Sequence, residues 1–586
     1  MIRGAARRFS LFSAPLLALA LIGAAGQRSA GVVVEYDRAI PLSDGVRLSA
    51  DVYRPDTAGR FPVIVARTPY DNARDPSGRY FAERGYVYVA VDVRGRYDSE
   101  GSFVPYVTEG RDGYEVIQWA AAQAWSDGTV GTTGGSYTGF SQWLAARERP
   151  PALKAMIVMV SPVDYYDSPV HTGGAFNLGG RLPWAALVSA RSNQAIEAHD
   201  WSRALLHLPL ETADRAIGRD LPAYRDWLTN PERNGYWSRL TVEGHWADLG
   251  VAVYHMGGWY DEFARGTVRG FTAMRGLGAT PAVRESQRLL IGPWTHALSS
   301  SRTVGAIDFG AESLVDLRAE SLRFFDRHLK GLADSAPGPR VRVYDIGARR
   351  WRESDDWPPR GAAEIRWYLS GPGAQKGGDA GGRLVPEPPG AEQPDRYRYD
   401  PSDPTPSVGG ATCCVAPGLY PKIMEWGPQD QRPVEERTDV LVYSTAPLER
   451  DVTVVGPVKV RLHASSSARD TDFAAKLVDV QPDGTAINLA DGIIRARYRE
   501  SLAEPTLLEP GRVYQFEIDL AATANTFLRG HRIRLEIASA NFPWYDRNLN
   551  TGGDPARETR METAEQTVFH DAERASYLSL SVLPAP

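Results

Sequence analysis

Cysteine is nearly absent from this sequence: its 586 residues include two, Cys413 and Cys414, and these are adjacent. Adjacent cysteines cannot cross-link segments that are distant in the chain, so stability must come from hydrophobic cores rather than from disulfides. The pair is predicted to form either free buried thiols or a strained vicinal disulfide. No group of Cys and His residues has the spacing of zinc ligands, so neither a metal site nor a cofactor is expected.

A strong excess of charge is also missing. The formal net charge is −6 over 64.3 kDa, and the chain has no long basic run. Proteins that bind nucleic acid or anionic membranes do so through clustered Lys and Arg, so neither partner is expected. The expected ligand is therefore a small molecule, and the sequence gives no indication of the oligomeric state.

Long apolar segments are missing after the first 30 residues. In the first 30 residues, three arginines precede the apolar run 11–25, which ends in small residues. This pattern is typical of a signal peptide and is short for a membrane span. Residues 1–26 are therefore predicted to be cleaved, leaving an exported protein, periplasmic or secreted, without a membrane segment. An uncleaved anchor is the alternative, and a partial match to a twin-arginine signal leaves the export route open.

The chain is too long for one hydrophobic core, since single cores stop growing at roughly 250 to 300 residues. Buried apolar runs at 61–66, 86–93 and 153–160 alternate with helical spacing, as at 114–125. This alternation is typical of a parallel sheet covered by helices on both faces. The predicted fold class is α/β, doubly wound.

The pattern changes twice further along the chain. Residues 163–248 are Trp-, Leu- and Arg-rich helical segments, predicted as an inserted helical cap. Strand-like runs resume after it, so the α/β domain is predicted to be discontinuous, over 31–162 and 249–354. Residues 355–586 contain alternating apolar and polar positions, which predict a β-sandwich.

A glycine-rich turn, Gly134 to Gly139, surrounds Ser136. A strand pattern at 130–133 precedes it and helical spacing follows from Tyr137, so Ser136 is expected on a strand-to-helix turn. Such a turn lifts a serine hydroxyl out of the sheet and points the next backbone N–H at a developing oxyanion. The usual pattern is G-x-S-x-G, whereas the second glycine here comes one residue later. Taken alone, this motif is equally consistent with a structural turn that has no catalytic role.

A nucleophilic serine needs a base, and the base needs an orienting carboxylate. Asp261 follows the strand-like run 251–256, and His296 follows the run 288–291. Both lie past the carboxyl ends of predicted strands, where open α/β sheets bind ligands. Of ten histidines, His296 is the one with this combined context. The order serine, aspartate, histidine is that of α/β-hydrolases.

Short motifs occur in a fixed order along the chain. In the first half they are Arg67-Thr68-Pro69-Tyr70-Asp71, Asp92-Val93-Arg94-Gly95, Gly134-Gly135-Ser136-Tyr137-Thr138-Gly139, Gly258-Trp259-Tyr260-Asp261 and Gly292-Pro293-Trp294-Thr295-His296. In the second half they are Asp470-Thr471-Asp472-Phe473, Lys476-Leu477-Val478-Asp479-Val480 and Asn541-Phe542-Pro543. Together they resemble the cocaine esterase-like serine hydrolases over nearly the whole mature chain. That group is related to the X-Pro dipeptidyl-peptidases, the α-amino acid ester hydrolases and the glutaryl acylases.

The resemblance implies an α/β-hydrolase domain with an inserted helical cap, followed by a C-terminal all-β jelly-roll sandwich. It also implies an elbow of the type G-x-S-Y-x-G, which accounts for the displaced glycine. By the same resemblance Ser136 is the nucleophile, His296 the general base and later acid, and Asp261 the group that orients the imidazole. Tyr70 and the backbone N–H of Tyr137 would form the oxyanion hole. From the sequence pattern alone, Tyr70 could equally be a core aromatic at a turn.

The residues after Asp261 bear on the substrate. The α-amino acid ester hydrolases hold a substrate ammonium with a carboxylate cluster that lies partly at this point. Here Glu262 is followed by Phe263 and Ala264, an aromatic and a small apolar residue. An uncharged acyl group is therefore expected, with a merely solvated Glu262 as the alternative.

Phe263, Trp184 and Leu187 resemble residues that line an aromatic or apolar acyl pocket in cocaine esterase-like enzymes. Trp184 as an ordinary packed cap aromatic is the alternative. Val170 stands where the resemblance would place a bulkier aromatic, which speaks against a benzoyl-sized pocket. The cysteine pair lies in a jelly-roll loop and has no assigned role.

The predicted reaction is hydrolysis of a carboxylic ester or amide through an acyl-enzyme on Ser136. An X-Pro dipeptidyl-peptidase or an α-amino acid ester hydrolase or acylase would use the same triad and require a free amino group on the substrate. From a different class, a carbohydrate- or surface-binding protein with a vestigial hydrolase domain is the alternative, although the complete residue set argues against it. The stretch Asp546 to Asn550 has the composition of either a calcium loop or a polar turn.

Overall fold

The computed structural model describes residues 31–197, 199–333, 335, 338–371, 381–413 and 426–584. The predicted signal peptide and Cys414 lie outside them. Within these ranges, no helix has the length and apolar character needed to cross a membrane.

The strands of the described chain form two large sheets and two small hairpins. In chain order they are β1 (Val32–Pro41), β2 (Arg47–Pro55), β3 (Phe61–Thr68), β4 (Val87–Asp92), β5 (Ser126–Gly135), β6 (Leu153–Met159), β7 (His171–Thr172), β8 (Ala175–Phe176), β9 (Ala252–Gly258), β10 (Arg288–Gly292), β11 (Thr303–Val304), β12 (Ile307–Asp308), β13 (Val341–Asp345), β14 (Arg350–Ser354), β15 (Ala363–Ser370), β16 (Gly382–Val385), β17 (Asp395–Tyr399), β18 (Leu441–Ser444), β19 (Val452–Ser466), β20 (Asp472–Val480), β21 (Ala486–Arg495), β22 (Tyr514–Phe527), β23 (Arg532–Ala538), β24 (Ala564–Phe569) and β25 (Tyr577–Val582).

The helices concentrate in the first 330 residues of the chain. The α-helices are α1 (Ser77–Ala82), α2 (Glu109–Ala121), α3 (Tyr137–Arg147), α4 (Leu178–Leu187), α5 (Trp201–Leu206), α6 (Ala213–Ala216), α7 (Pro222–Thr229), α8 (Ala264–Leu277), α9 (Pro281–Glu285), α10 (Leu317–His328) and α11 (Arg432–Glu435). Short 3₁₀ helices cover Asn72–Arg74, Leu210–Thr212, Trp237–Arg239, Trp246–Asp248, Ala311–Ser313 and Ala496–Tyr498, and a π-helical turn covers Tyr166–Val170.

The first large sheet has ten strands in the order β1-β2-β4-β3-β5-β6-β9-β10-β13-β14. The strands from β4 to β13 run parallel, and antiparallel strands close both edges. In β4, Val87 and Val89 join one hydrophobic core while Tyr88 and Ala90 join another. Because alternate side chains point to opposite faces, both of which are covered, the strand is apolar from Val87 to Val91, and its last residue, Asp92, is the charged one.

Helices lie on each face of this sheet. Val116 of α2 and Phe140 of α3 belong to one core, whereas Phe324 and Phe325 of α10 belong to the other. The chain between β6 and β9 contains α4 to α7, with Trp201 and Trp227 buried in the first core. The predicted α/β-hydrolase class with helices on both sheet faces is confirmed.

The second large sheet is all-β and has the order β17-β24-β19-β25-β15-β16-β18-β23-β20-β21, with β22 paired to β19. Its strands enclose a separate core of alternate residues, among them Val458, Val460 and Leu462 of β19. The residues between them are mostly partly exposed or exposed, as expected for strands with one buried face. The predicted C-terminal all-β domain is confirmed.

The all-β domain contacts both the cap and the helix that follows the β9 loop. At Gly173, φ is +54° and an added Cβ would lie 2.1 Å from the Ile493 carbonyl oxygen, so a side chain has no room there. Arg265 at the start of α8 forms an ion pair with Asp519 of β22, and its Nη2 also donates to the Asp519 carbonyl at 2.9 Å. These contacts fix the segment that begins at Asp261 against the all-β domain.

Candidate active site

Ser136 lies between β5 and α3 with a backbone φ of 60° and ψ of −124°. A positive φ is uncommon for a residue other than glycine and marks a strained turn held by its surroundings. The Ser136 backbone N–H donates to the carbonyl oxygens of Met159 and Val160, both at 3.0 Å. The strand-to-helix turn predicted at Ser136 is therefore present.

Two glycines make this turn possible. An added Cβ at Gly134, where φ is +143°, would lie 2.1 Å from Thr138 Cγ2. At Gly139 it would lie 2.8 Å from Ser161 Cβ and 2.9 Å from the Met159 carbonyl oxygen. The displaced second glycine is required because α3 begins tightly against the strand end of β6.

The backbone N–H of Tyr137 lies at the amino end of α3. The first N–H groups of a helix have no partner within it, and the helix dipole makes this end electropositive. The Tyr137 ring is held firmly, since its hydroxyl donates to Glu109 Oε1 at 3.0 Å and its ring stacks on Tyr106 at 4.1 Å between centroids. The start of α3 sets the direction of this backbone N–H, and the ring contacts hold the Tyr137 side chain in place.

Tyr70 follows β3 and carries the second candidate oxyanion donor. Its hydroxyl accepts a hydrogen bond from the indole Nε1–H of Trp184 at 2.9 Å. Burial raises the pKa of Tyr70, while the interactions with Trp184 and the Ser136 side chain oppose that shift. The pKa stays above its ordinary value, so the phenol keeps the proton that it would donate.

Asp261 and His296 follow neighbouring parallel strands, β9 and β10, in which Gly258 pairs with Gly292. Because the carboxyl ends of parallel strands meet at one edge of a sheet, the two loops lie side by side. His296 Nδ1 is 2.7 Å from Asp261 Oδ1, and the Asp261 carboxyl is fully buried. Hydrogen bonding of Nδ1–H to the carboxylate leaves Nε2 as the basic nitrogen.

The imidazole of His296 has one apolar and one charged neighbour. Burial lowers the pKa of His296, whereas the charge and hydrogen bond of the Asp261 carboxylate and the charge of Glu262 raise it, and the net shift is upward. The Phe263 ring lies 5.5 Å from the imidazole, centroid to centroid. Among the described residues, Ser136 Oγ makes no hydrogen bond to His296; such contacts are often long in substrate-free enzymes and tighten on binding.

Glu262 is buried rather than solvated. Its Oε1 accepts from Arg181 Nη2 at 2.8 Å, its Oε2 accepts from Asn177 Nδ2 at 3.2 Å, and both charged side chains are at most 5% exposed. Arg181 and Asn177 lie in the cap, 81 and 85 residues before Glu262. Neither residue was predictable from the sequence, because nothing in its local pattern points to a partner so far along the chain.

The predicted acyl-pocket residues are in different environments. Phe263 is 3% exposed and packs with Val160 and Cys413 in a small apolar cluster. Trp184 is buried at the cap interface, and Leu187 is partly buried against the same core. Val170 is fully buried.

Cys413 is disulfide-bonded, which excludes the free-thiol alternative for this residue. The chain's other cysteine, Cys414, is not among the described residues. Phe263 thus packs in an apolar cluster with a cysteine that has no free thiol.

No group of His, Cys, Asp or Glu side chains suited to hold a metal ion occurs in the described part of the chain. In the stretch suspected as a calcium loop, Asp546 Oδ1 accepts from Arg495 Nη2 at 2.8 Å and from the Phe176 backbone N–H at 2.8 Å. Asn548 Nδ2 donates to Asp472 Oδ1 at 2.8 Å. The polar residues of this loop therefore bond to Arg495 and Asp472 of the all-β domain and to Phe176 of the cap.

The chain matches known families over most of its length. Residues 44–298 match the X-Pro dipeptidyl-peptidase (S15 family), and residues 335–579 match the X-Pro dipeptidyl-peptidase C-terminal non-catalytic domain. Cocaine esterase of Rhodococcus sp. (strain MB1 Bresler) is 39% identical over 575 residues, covering 93% of this chain and 97% of that protein.

Solved structures agree with these matches. An α-amino acid ester hydrolase is 27% identical with a TM-score of 0.83, covering 95% of this chain and 98% of that one. An aminopeptidase from the marine sediment archaeon Thaumarchaeota archaeon is 28% identical with a TM-score of 0.82, covering 95% and 97%. The chain therefore belongs to the cocaine esterase-like family of serine hydrolases.

Proposed function

We propose that this protein hydrolyses carboxylic esters or amides that have an uncharged acyl group, with Ser136, His296 and Asp261 as the catalytic triad. The observation that carries this proposal is the hydrogen bond between His296 Nδ1 and Asp261 Oδ1, 2.7 Å long, at the sheet edge beyond β9 and β10. The Ser136 turn follows β5 of the same parallel sheet and therefore belongs to the same edge.

The reaction has two acyl-transfer steps. The Ser136 hydroxyl gives its proton to His296 Nε2 as Oγ bonds to the substrate carbonyl carbon, and the carbonyl oxygen becomes an oxyanion. The Tyr137 backbone N–H and the Tyr70 hydroxyl stabilise that charge. His296 then protonates the leaving alcohol or amine as its bond to carbon breaks. Water, deprotonated by His296, attacks the acyl-enzyme and releases the acid, and the proton returns to Ser136.

The preference for an uncharged acyl group rests on Glu262. A substrate ammonium needs an acid with uncompensated negative charge, but the Glu262 carboxylate lies 2.8 Å from the Arg181 guanidinium. An approaching ammonium would meet this cation as well as the carboxylate. The apolar cluster around Phe263 favours an alkyl or aryl acyl group instead.

A substrate panel with a serine-directed probe tests the proposal. Purified protein should react with a fluorophosphonate at Ser136, as read by peptide mass spectrometry, and hydrolyse neutral p-nitrophenyl esters with higher kcat/KM than α-amino acid esters or X-Pro anilides. Activity that requires a free amino group on the substrate would reassign the enzyme to the dipeptidyl-peptidase or amino acid ester hydrolase reaction. Absence of both labelling and hydrolysis would reject the proposed function.

The pH dependence follows from the His296–Asp261 pair. The base must be neutral, and its raised pKa keeps it protonated to higher pH, so kcat/KM should fall with acid below an apparent pKa above about 6.5. Asp261→Asn removes the carboxylate that raises the pKa of His296. It should therefore move the acid limb of the pH profile, where kcat/KM falls, to lower pH. As a control, His531→Gln removes a histidine paired with Asp479 in the all-β domain and should leave the limb unchanged. An unshifted limb in Asp261→Asn would contradict the assignment.

A further inference from the structure

We infer that Trp184 is a positioning residue of the oxyanion hole: its indole N–H orients the Tyr70 phenol so that the phenolic proton points at the substrate oxyanion. This inference rests on the proposed function. It gives a cap residue a role different from the acyl-pocket role expected from the sequence.

The direction of the hydrogen bond is fixed by chemistry. Trp184 Nε1 lies 2.9 Å from the Tyr70 hydroxyl oxygen, and an indole can only donate. The phenol oxygen is therefore the acceptor, and the single phenolic proton cannot point toward Trp184. It must point elsewhere, and the Ser136 side chain is among the polar groups that interact with this hydroxyl.

Accepting this bond also makes the phenol a better donor. A hydroxyl that accepts a hydrogen bond is polarised and donates a stronger one, by about 10–30% in condensed-phase estimates. The Arg181 guanidinium, 6.0 Å from the Trp184 ring centroid, is a buried positive charge that acts in the same direction on Tyr70. The oxyanion would thus meet a donor that is both oriented and strengthened.

The indole itself has little freedom to move. Trp184 is 3% exposed and stacks on Trp227 of the cap at 5.8 Å and on Tyr137 of the catalytic domain at 6.3 Å between centroids. One side chain therefore touches the ring of Tyr137, whose backbone supplies one oxyanion donor, and bonds to Tyr70, which supplies the other. The cap becomes part of the oxyanion hole through Trp184.

The test removes the N–H while keeping an aromatic ring. Trp184→Phe should lower kcat about tenfold with little change in KM, because the lost contact acts on the transition state rather than on bound substrate. A boronic acid that mimics the tetrahedral intermediate should bind about tenfold more weakly. In a Tyr70→Phe background, Trp184→Phe should cause no further loss of kcat, since the bond it removes is already gone.

Two further variants separate this role from packing. Trp201→Phe removes another buried cap indole, whose N–H donates to the Ile196 carbonyl at 3.0 Å rather than to Tyr70, so kcat should stay near wild type. Replacement of the Trp184 indole by benzothiophene keeps the ring shape and removes only the N–H. This second variant tests the inference if Trp184→Phe folds poorly. Equal losses in the wild-type and Tyr70→Phe backgrounds, or full activity with benzothiophene, would overturn the inference. An inactive, unlabelled wild type would instead reject the proposed function and this inference together.

Discussion

Ser136→Ala is expected to lower kcat by about 10⁶-fold and to abolish fluorophosphonate labelling. The substitution removes the oxygen atom proposed to form the acyl-enzyme and leaves the His296–Asp261 pair in place. The residual rate would come from substrate binding and the oxyanion donors. Steady-state kinetics with a neutral ester and intact-protein mass spectrometry after labelling measure the two effects.

Ser161→Ala is the matched control for Ser136→Ala. Ser161 is 1% exposed, follows β6 beside the same turn and donates its hydroxyl to the Pro162 carbonyl at 2.8 Å. Its loss should leave labelling intact and kcat within severalfold of wild type. Full labelling of Ser136→Ala would show that another residue is the nucleophile. Circular dichroism of both variants should match wild type, because alanine keeps the Cβ and each substitution removes a single hydroxyl group.

Arg181→Met is expected to lower the free energy of unfolding by about 3–5 kcal/mol, because it leaves Glu262 as an uncompensated buried charge. Both side chains are at most 5% exposed, so water cannot replace the lost partner. Urea denaturation followed by fluorescence measures the change. The double variant Arg181→Met with Glu262→Leu should recover most of it, since a buried pair replaced by apolar groups is often neutral.

An exposed ion pair provides the control for Arg181→Met. Arg47 and Glu100 form an ion pair whose side chains are 64% and 43% exposed, and Arg47→Met should not change stability measurably. If Arg181→Met were equally neutral, the Arg181–Glu262 pair would not be a buried ion pair in solution. The substrate-charge argument would then fail as well, because Glu262 would be free to bind an ammonium.

Arg181 and Trp184 lie one turn apart on α4, so the cap contributes to the site twice through one short helix. Arg181 neutralises the acid that follows Asp261, and Trp184 bonds to Tyr70. The cap is thus joined to the acid loop and to the proposed oxyanion hole, and a change in its position would affect both.

The sequence by itself determined the strands and the order of the chemical groups. Residues 61–66, 86–93 and 153–160 are apolar except for Asp92 and Lys154, because each strand is covered on both faces, and the structure places β3, β4 and β6 there. Asp261 and His296 each follow a strand directly, and carboxyl ends of parallel strands meet at one edge, so their proximity followed from local pattern alone. The spacing of the glycines around Ser136 likewise indicated a tight turn, because such a turn depends only on residues that are close together in the chain.

Only the tertiary structure decided which distant side chains meet these groups. Trp184 lies 114 residues after Tyr70, and Arg181 lies 81 residues before Glu262. Cys413 reaches Phe263 from the all-β domain. Such contacts leave no periodicity in the sequence, because they depend on how the cap and the all-β domain pack on the sheet edge and not on the spacing of residues within one element. Sequence therefore indicated the groups proposed to react, and packing determined the charge and hydrogen bonding around them.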